Sequence, residues 1–73
     1  MPSKYPVLKP KDIIYALEKL DFFFVSQKGS HLKYSNGIRT TIIPNHKEVA
    51  RGTLQSILEL AGLSLDVFLE QLK

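Results

Sequence analysis

The octapeptide QKGSHLKY, residues 27–34, places an imidazole, His31, directly after a Gly-Ser step and between two lysines. An imidazole titrates near neutral pH and can therefore remove or donate a proton during catalysis. Lys28 and Lys33 could hold a phosphate group and stabilise the negative charge that develops on it. These residue types suit the cleavage of RNA, because RNA carries its own nucleophile, the 2′-hydroxyl group.

The sequence lacks the residue spacing of a metal site or of a nucleotide-binding loop. His31 and His46 are 15 residues apart without a cluster of carboxylates beside them, and the chain has no cysteine. It also has no Gly-rich phosphate loop and no specific Ser-His-Asp arrangement. We therefore expect chemistry that needs no metal ion and no small-molecule cofactor.

Each candidate residue also has an ordinary interpretation. A histidine on a strand is more often a surface residue than a catalyst, and Lys28 and Lys33 could be solvated strand charges. His46 is better explained as a turn residue, and Tyr34 and residues 22–24 are better explained as core than as a surface for stacking bases. Residue types alone thus leave a small basic α+β domain. The alternatives to an enzyme are a binding module without chemistry and, less favoured, a structural subunit of a complex.

The composition is that of a small folded domain with a basic surface. The 73 residues are 44% hydrophobic, and the net charge of +3 with a pI near 9.3 favours polyanions slightly. No apolar run reaches the roughly 18 residues of a membrane span, and the N-terminus lacks the apolar segment of a signal peptide. We expect a single cytoplasmic domain over residues 1–73, in which residues 1–8 are an extended lead-in.

Three apolar stripes have the i, i+3, i+4, i+7 spacing of a helix, and the third, which follows Ser64, is Leu65, Phe68, Leu69 and Leu72. The members of the first are Ile13, Ala16, Leu17 and Leu20, and those of the second are Leu54, Ile57, Leu58 and Ala61. The first stripe predicts a helix over residues 10–20, with Pro10 in its first turn. The second predicts a helix that has Thr53 as its N-cap and Gly62 as its C-cap. Ser64 can cap a last, short helix.

Three segments between the helices predict antiparallel strands. Residues 22–25 favour a buried strand because they are aromatic and β-branched. Residues 31–35 and 39–43 favour two further strands, joined by a two-residue turn at Asn36-Gly37. A helix, a three-stranded meander and a second helix predict an α+β, two-layer sandwich with both main helices on one face of the sheet.

Side chains alternate between the two faces of a strand, so this register assigns a face to each residue. His31 and Lys33 share one face, whereas Leu32 and Tyr34 point to the other together with Ile43. The second set is the more apolar and should carry the helices. We therefore expect His31 and Lys33 to stand together on the open face.

Three blocks of the sequence, KGSHLKY, TIIPNHKE and RGTLQSILELAGLS, resemble the HicA family of toxins. These are ribosome-independent mRNA interferases of type II toxin–antitoxin systems. The resemblance includes LDFFF after the leading helix, and it covers about residues 8–70 in the family's order and spacing. It implies a fold like that of a double-stranded RNA-binding domain, α-β-β-β-α, here with a short extra C-terminal helix. It also implies metal-independent cleavage of mRNA and neutralisation by a HicB-like antitoxin.

The resemblance also implies roles for individual residues. The family's catalytic histidine, in its Gly-Ser-His step, matches His31, so Gly29 and Ser30 complete the step. The family's Pro-x-His segment matches residues 44–46, and its Gly-Thr-Leu helix start matches residues 52–54. We therefore expect His31 to act as general acid or base. The residues that we expect to bind RNA are Lys28, Gly29, Ser30, Lys33, His46, Arg51 and Thr53.

Arg51 and Thr53 are included because backbone N–H groups at the start of a helix can bind phosphate. The sequence departs from the family at two positions. Many members have glycine where this chain has Asp21, and many have a basic residue where it has Asn45. The expected partners are mRNA and a HicB-like antitoxin, without a membrane. We expect the free chain to be a monomer or a weak homodimer.

Overall fold

The computed structural model describes residues 5–73 of the chain. Its elements are, in order, α1 (Pro10–Lys19), β1 (Phe23–Lys28), β2 (His31–Ser35), β3 (Thr40–Pro44), α2 (Arg51–Ala61) and α3 (Leu65–Glu70). The strands form one antiparallel sheet in the order β1-β2-β3. The predicted α+β class and its α-β-β-β-α order, that of a double-stranded RNA-binding domain, are therefore confirmed. The first half of the predicted lead-in, residues 1–4, lies outside the described residues, whereas Leu8 forms a β-bridge with Val49.

The core lies between the helices and one face of the sheet. Its buried members are Ile13, Ala16, Leu17, Phe22, Leu32, Tyr34, Ile43, Val49, Leu54, Ile57, Leu58, Ala61 and Phe68. The first two predicted helical stripes belong to it, although Leu20 is only partly buried, and Phe68 is the buried member of the third stripe. The one buried polar side chain among the described residues is Thr41, whose hydroxyl donates a hydrogen bond of 2.8 Å to the carbonyl of Ile57. That bond ties the middle of α2 to β3.

The strand predicted at residues 22–25 is present, but the prediction that it is buried is wrong. β1 begins one residue later, at Phe23, and all six of its residues are exposed, whereas Phe22 is buried just before it. β1 lies at an edge of the sheet, and α2 packs against β3 at the opposite edge. The helix layer therefore leaves β1 largely uncovered, so Phe23 and Phe24 remain 56% and 53% exposed.

The predicted two-residue turn at Asn36-Gly37 is also wrong. Ser35 pairs with Thr40, so four residues, 36–39, connect β2 to β3. The Asn36 side chain stabilises this longer loop, because its Oδ1 accepts hydrogen bonds from the backbone N–H groups of Ile38 (2.9 Å) and Arg39 (2.7 Å). The register differs from the predicted one by two residues, an even number, so the predicted face of each strand residue is preserved.

The ends of the helices are partly as predicted. α2 begins at Arg51 and its N-cap is Ala50, so the prediction of Thr53 as N-cap is wrong, and no side chain caps this end. The predicted caps at Gly62 and Ser64 are confirmed, since Gly62 is left-handed (φ +70°) and Ser64 accepts a hydrogen bond from the Val67 N–H. Arg39 lies against Gly62, where a Cβ would be 3.1 Å from its Cζ. Its cation therefore suits the negative end of the α2 dipole.

Phe68 anchors the short helix α3 to the rest of the molecule, because its ring is fully buried among residues of the other elements. We predict that Phe68→Ala lowers the free energy of unfolding by about 3–5 kcal/mol, the usual effect of truncating a buried aromatic residue. Val67→Ala, next to it but 46% exposed, should change stability by less than about 0.5 kcal/mol. Urea denaturation measures both, and equal effects would contradict the docking of α3.

Candidate functional site

The face of the sheet opposite the helices carries three cross-strand rows of residues, which together we call the open face. Row 1 is Lys28–His31–Pro44, row 2 is Ser26–Lys33–Ile42, and row 3 is Phe23–Ser35–Thr40. Cross-strand partners point to the same side of a sheet, and their Cβ atoms lie about 4.5–5.5 Å apart. The structure thus brings Lys28 next to His31 and places Lys33 one row further along the strand.

A β-bulge at Val25 puts Lys28 on the open face. β1 pairs Phe24 with Tyr34 but Ser26 with Lys33, so Val25 is an extra residue without a partner on β2. An extra residue in one strand reverses the faces of all the residues that follow it. Without the bulge Lys28 would point towards the helix side, away from His31.

The Gly29-Ser30 step forms the two-residue turn between β1 and β2, since Lys28 and His31 pair on either side of it. Gly29 has φ +59°, a left-handed conformation that is costly for other residues. No atom outside the adjacent residues lies within 4 Å of a Cβ built at Gly29. Glycine is therefore required here by the backbone conformation of the turn, and its outer side is open to a ligand.

The Pro-x-His segment lies beside this turn. Pro44 pairs with His31, and the backbone N–H of Asn45 donates a hydrogen bond of 2.6 Å to the carbonyl of Ser30. His46 follows directly and is exposed in the bend after β3. Two motifs that are separate in the sequence thus meet at one end of the sheet.

The start of α2 lies at the same end of the sheet. α2 runs antiparallel to β3, because its end at Gly62 lies against Arg39 and its middle is bonded to Thr41. Arg51 and Thr53 are exposed in its first turn, and the N-cap Ala50 offers no side-chain acceptor to the N–H groups there. α2 packs on the opposite face of the sheet from His31, so these residues flank row 1 around the end of the sheet.

Electric charge is divided unevenly between the two layers, a feature that the sequence analysis missed. Residues 22–47, which form the whole sheet and its loops, include four lysine or arginine residues and no acidic residue. This segment therefore has a net charge of +4, and the rest of the chain has a net charge of −1, which together give the total of +3. The acidic residues, all in the helices or the segments next to them, are Asp12, Glu18, Asp21, Glu48, Glu59, Asp66 and Glu70.

The cations of the open face are not neutralised within the described part of the chain. The one ion pair among residues 5–73 joins Lys73 to Glu70 on the helix side, with Nζ and Oε2 3.5 Å apart. The side chains of Lys28, His31 and Lys33 are exposed, and no described residue forms a hydrogen bond or ion pair with them. They are therefore available to a negatively charged ligand.

Other side chains are less suited to chemistry at this face. Residues 5–73 contain no group of three or more histidine or acidic side chains placed to hold a metal ion. Tyr34 points to the helix side, and its burial, together with the negative charge of Glu18, raises the pKa of its hydroxyl. It therefore stays protonated near neutral pH. The prediction that Phe23 belongs to the core is wrong, because its ring lies on the open face and is 56% exposed.

We predict that Gly29→Ala lowers the free energy of unfolding by about 1–2 kcal/mol, because alanine resists the left-handed conformation. Gly29→Asn should cost about as much, because a two-residue turn with a positive φ at Gly29 but not at Ser30 is of the type that favours glycine at its first position. Gly52→Ala is the matched control, because Gly52 lies in α2 with open space around it, and it should stabilise the fold by about 0.4–1 kcal/mol. Urea denaturation of the three variants checks these signs. An unchanged stability for Gly29→Ala would mean that the turn does not need φ +59°.

A family model described as the HicA toxin of bacterial toxin–antitoxin matches residues 10–63, which include α1, the whole sheet and α2. No curated protein matches the chain. No helix in residues 5–73 is long and apolar enough to cross a membrane.

Proposed function

The chain belongs to the HicA toxin family of bacterial toxin–antitoxin systems, and from this premise we propose that it is an endoribonuclease that cleaves mRNA without a metal ion. His31 is the general acid or base of the reaction. The observation that best supports this is row 1, in which an exposed imidazole stands opposite an unpaired lysine. Such a pair can bind a phosphodiester and move a proton beside it.

The reaction follows from the chemistry of RNA. His31 removes the proton of a ribose 2′-hydroxyl, and the 2′-oxygen then attacks the adjacent phosphorus. The bond from phosphorus to the 5′-oxygen breaks, and the leaving oxygen takes a proton from the imidazolium of His31 or from water. The products are a 2′,3′-cyclic phosphate and a free 5′-hydroxyl. DNA cannot react in this way, because it has no 2′-hydroxyl.

The cations of the open face bind the phosphates and stabilise the phosphorane. Lys28 is the nearest, directly opposite His31, and Lys33 is one row away on the same strand. Fixed positive charges next to the reacting phosphate stabilise the additional negative charge of the transition state. At the Gly29-Ser30 turn, the open outer side of Gly29 lets the backbone approach the RNA closely, and the Ser30 hydroxyl can donate a hydrogen bond.

A second set of contacts lies around the end of the sheet. His46 follows Asn45, which is bonded to Ser30, and can contact the RNA near the cleaved linkage. Arg51, Thr53 and the uncapped N–H groups at the start of α2 can hold a neighbouring phosphate. The RNA then bends from the open face around the sheet end towards α2.

A HicB-like antitoxin would neutralise the toxin by covering the open face. A partner surface that offers carboxylates to Lys28 and Lys33 would replace the RNA phosphates and keep His31 from its substrate. The open face suits such a partner, because residues 22–47 carry no acidic residue that would repel it. A complex in which His31 remains open to solvent would contradict this mode of inhibition.

We predict that His31→Ala lowers the rate of RNA cleavage by about 10²–10⁴-fold, the usual contribution of a general acid or base. Both proteins are assayed on the same RNA in EDTA, in which the wild type should keep its activity. His46→Ala should instead raise KM and leave kcat within a few-fold of the wild type. An RNA with 2′-O-methyl groups should not be cleaved by any of them.

Three outcomes would contradict this assignment. Equal rates for the wild type and His31→Ala would exclude His31 as the catalyst, and complete inhibition by EDTA would exclude a metal-free reaction. RNA affinity without any product would favour a binding module of the same fold.

We predict that Lys28→Ala and Lys33→Ala each weaken RNA binding and make it less sensitive to salt. Loss of one phosphate contact to single-stranded RNA should reduce the slope of log K against log salt concentration by about 0.7. Lys73→Ala is the control, because Lys73 lies on the helix side and is paired with Glu70. Titrations of labelled RNA at several salt concentrations measure the slopes. A slope that does not change for either lysine of the open face would exclude that lysine as a phosphate contact.

A further inference from the structure

Two adjacent phenylalanines on β1 have different surroundings although their exposure is nearly equal. Phe24, which is 53% exposed, lies on the helix side and packs edge-on against Tyr34, with ring centroids 5.9 Å apart. Phe23, which is 56% exposed, pairs with Ser35 and therefore lies on the open face with His31. No aromatic contact joins Phe23 to another described residue. Packing in the core therefore does not explain why the large apolar ring of Phe23 is at this position.

The neighbours of Phe23 on the open face are mostly polar or basic, with Ile42 as the apolar member of row 2. Row 2, with Ser26 and Lys33, separates it from row 1, with Lys28 and His31. No acidic residue occurs anywhere in residues 22–47. A ligand that fits this surface must offer negative charge to the lysines and a flat apolar group to the ring. A polynucleotide offers both, since its phosphates alternate with bases that have π-faces.

We propose that Phe23 stacks on a base of single-stranded RNA while Lys33, Lys28 and His31 contact the backbone next to it. This inference rests on the proposed function and specifies its substrate as RNA that is unpaired at the stacked position. His31 and Ser35 are four residues apart on β2, which corresponds to about 14 Å at roughly 3.4 Å per residue. The stacked base therefore lies a short distance, measured along β2, from the RNA linkage that is cleaved.

The substrate must be single-stranded here for a geometric reason. In an RNA duplex each base lies between its neighbours, so a ring on the surface of a sheet can reach only the edges of the base pairs. Unpaired bases can turn outwards and stack on aromatic side chains of a sheet, as they do in other RNA-binding modules. Such stacking depends little on base identity. Phe23 thus positions the RNA strand along the open face without selecting a base sequence.

The test measures the affinity of Phe23→Ala, Phe24→Ala and the wild type for a labelled 2′-O-methyl RNA, which cannot be cleaved. An RNA of about 12 nucleotides is within the range that one single-strand-binding domain covers. Loss of one stacked base should weaken binding by Phe23→Ala about 5- to 150-fold. Phe24→Ala is the matched control and should stay within about two-fold of the wild type, since it removes an equally exposed ring from the other face. Phe23→Tyr keeps a stacking ring and should bind like the wild type.

Two changes of the probe distinguish stacking from a general weakening. Annealing the complementary strand should abolish the difference between the wild type and Phe23→Ala. Replacing the bases one at a time by abasic nucleotides should reveal one position at which the wild type loses as much affinity as Phe23→Ala does. Phe23→Ala should lose nothing more at that position, because the two changes remove the same contact.

The outcomes separate this inference from the proposed function. If Phe23→Ala binds the single strand as tightly as the wild type, or weakens single strand and duplex equally, the inference is overturned while cleavage through His31 still stands. If Phe23→Ala weakens only a complex with the antitoxin, the ring is a protein contact and the inference is overturned. If the RNA binds through Phe23 but the chain cleaves no RNA, the inference is supported and the proposed function fails.

Discussion

The pairing of β2 with both of its neighbours is the constraint on which the site depends. β2 is the central strand, so backbone hydrogen bonds fix its position from both sides. Its side chains alternate between the two faces, so that His31 and Lys33 are exposed whereas Leu32 and Tyr34 are buried in the core. A slip of one residue would bury the imidazole and the ammonium group and expose Leu32 and Tyr34. The hydrophobic energy of two core residues therefore also holds His31 on the open face.

The edge strand β1 is constrained far less, and its bulge has two consequences. The extra residue Val25 turns Lys28 towards His31, which brings a cation into row 1. Bulges also distort an edge and thereby oppose pairing with the edge of another molecule. This protection matters because Phe23 and Phe24 make the edge apolar as well as exposed. The same irregularity thus serves both the geometry of the site and the solubility of the chain.

Features set by periodicity could be predicted from the sequence, and features set by single hydrogen bonds could not. The helical stripes and the alternation along β2 follow from burial, so the fold and the open position of His31 were predicted correctly. The Asn36 loop was not, because its length depends on hydrogen bonds from Ile38 and Arg39 to one side chain. From the sequence alone, an Asn-Gly pair favours a two-residue turn rather than this four-residue loop.

Two other features were beyond the sequence for different reasons. The bulge at Val25 has no sequence signal, since an apolar residue there suits a regular strand equally well. The exposure of β1 depends on which strands the helices cover, and a row of aromatic residues normally indicates burial. The uneven charge could have been read directly, because residues 22–47 lack acidic residues in the printed sequence. It gains its meaning only when that segment is known to be the whole sheet.

The separation of charge connects stability with function. The helices and the segments next to them carry all the acidic residues, and the apolar core lies between the helices and the inner side of the sheet, so most of the stabilising contacts are remote from the open face. Lys28 and Lys33 repel each other on adjacent rows, and no described acidic side chain compensates them. A bound polyanion relieves that repulsion, whether its charges are the phosphates of RNA or the carboxylates of a protein. Under the proposed function, competition between RNA and an antitoxin for the same few cations is therefore the simplest form of control that this surface permits.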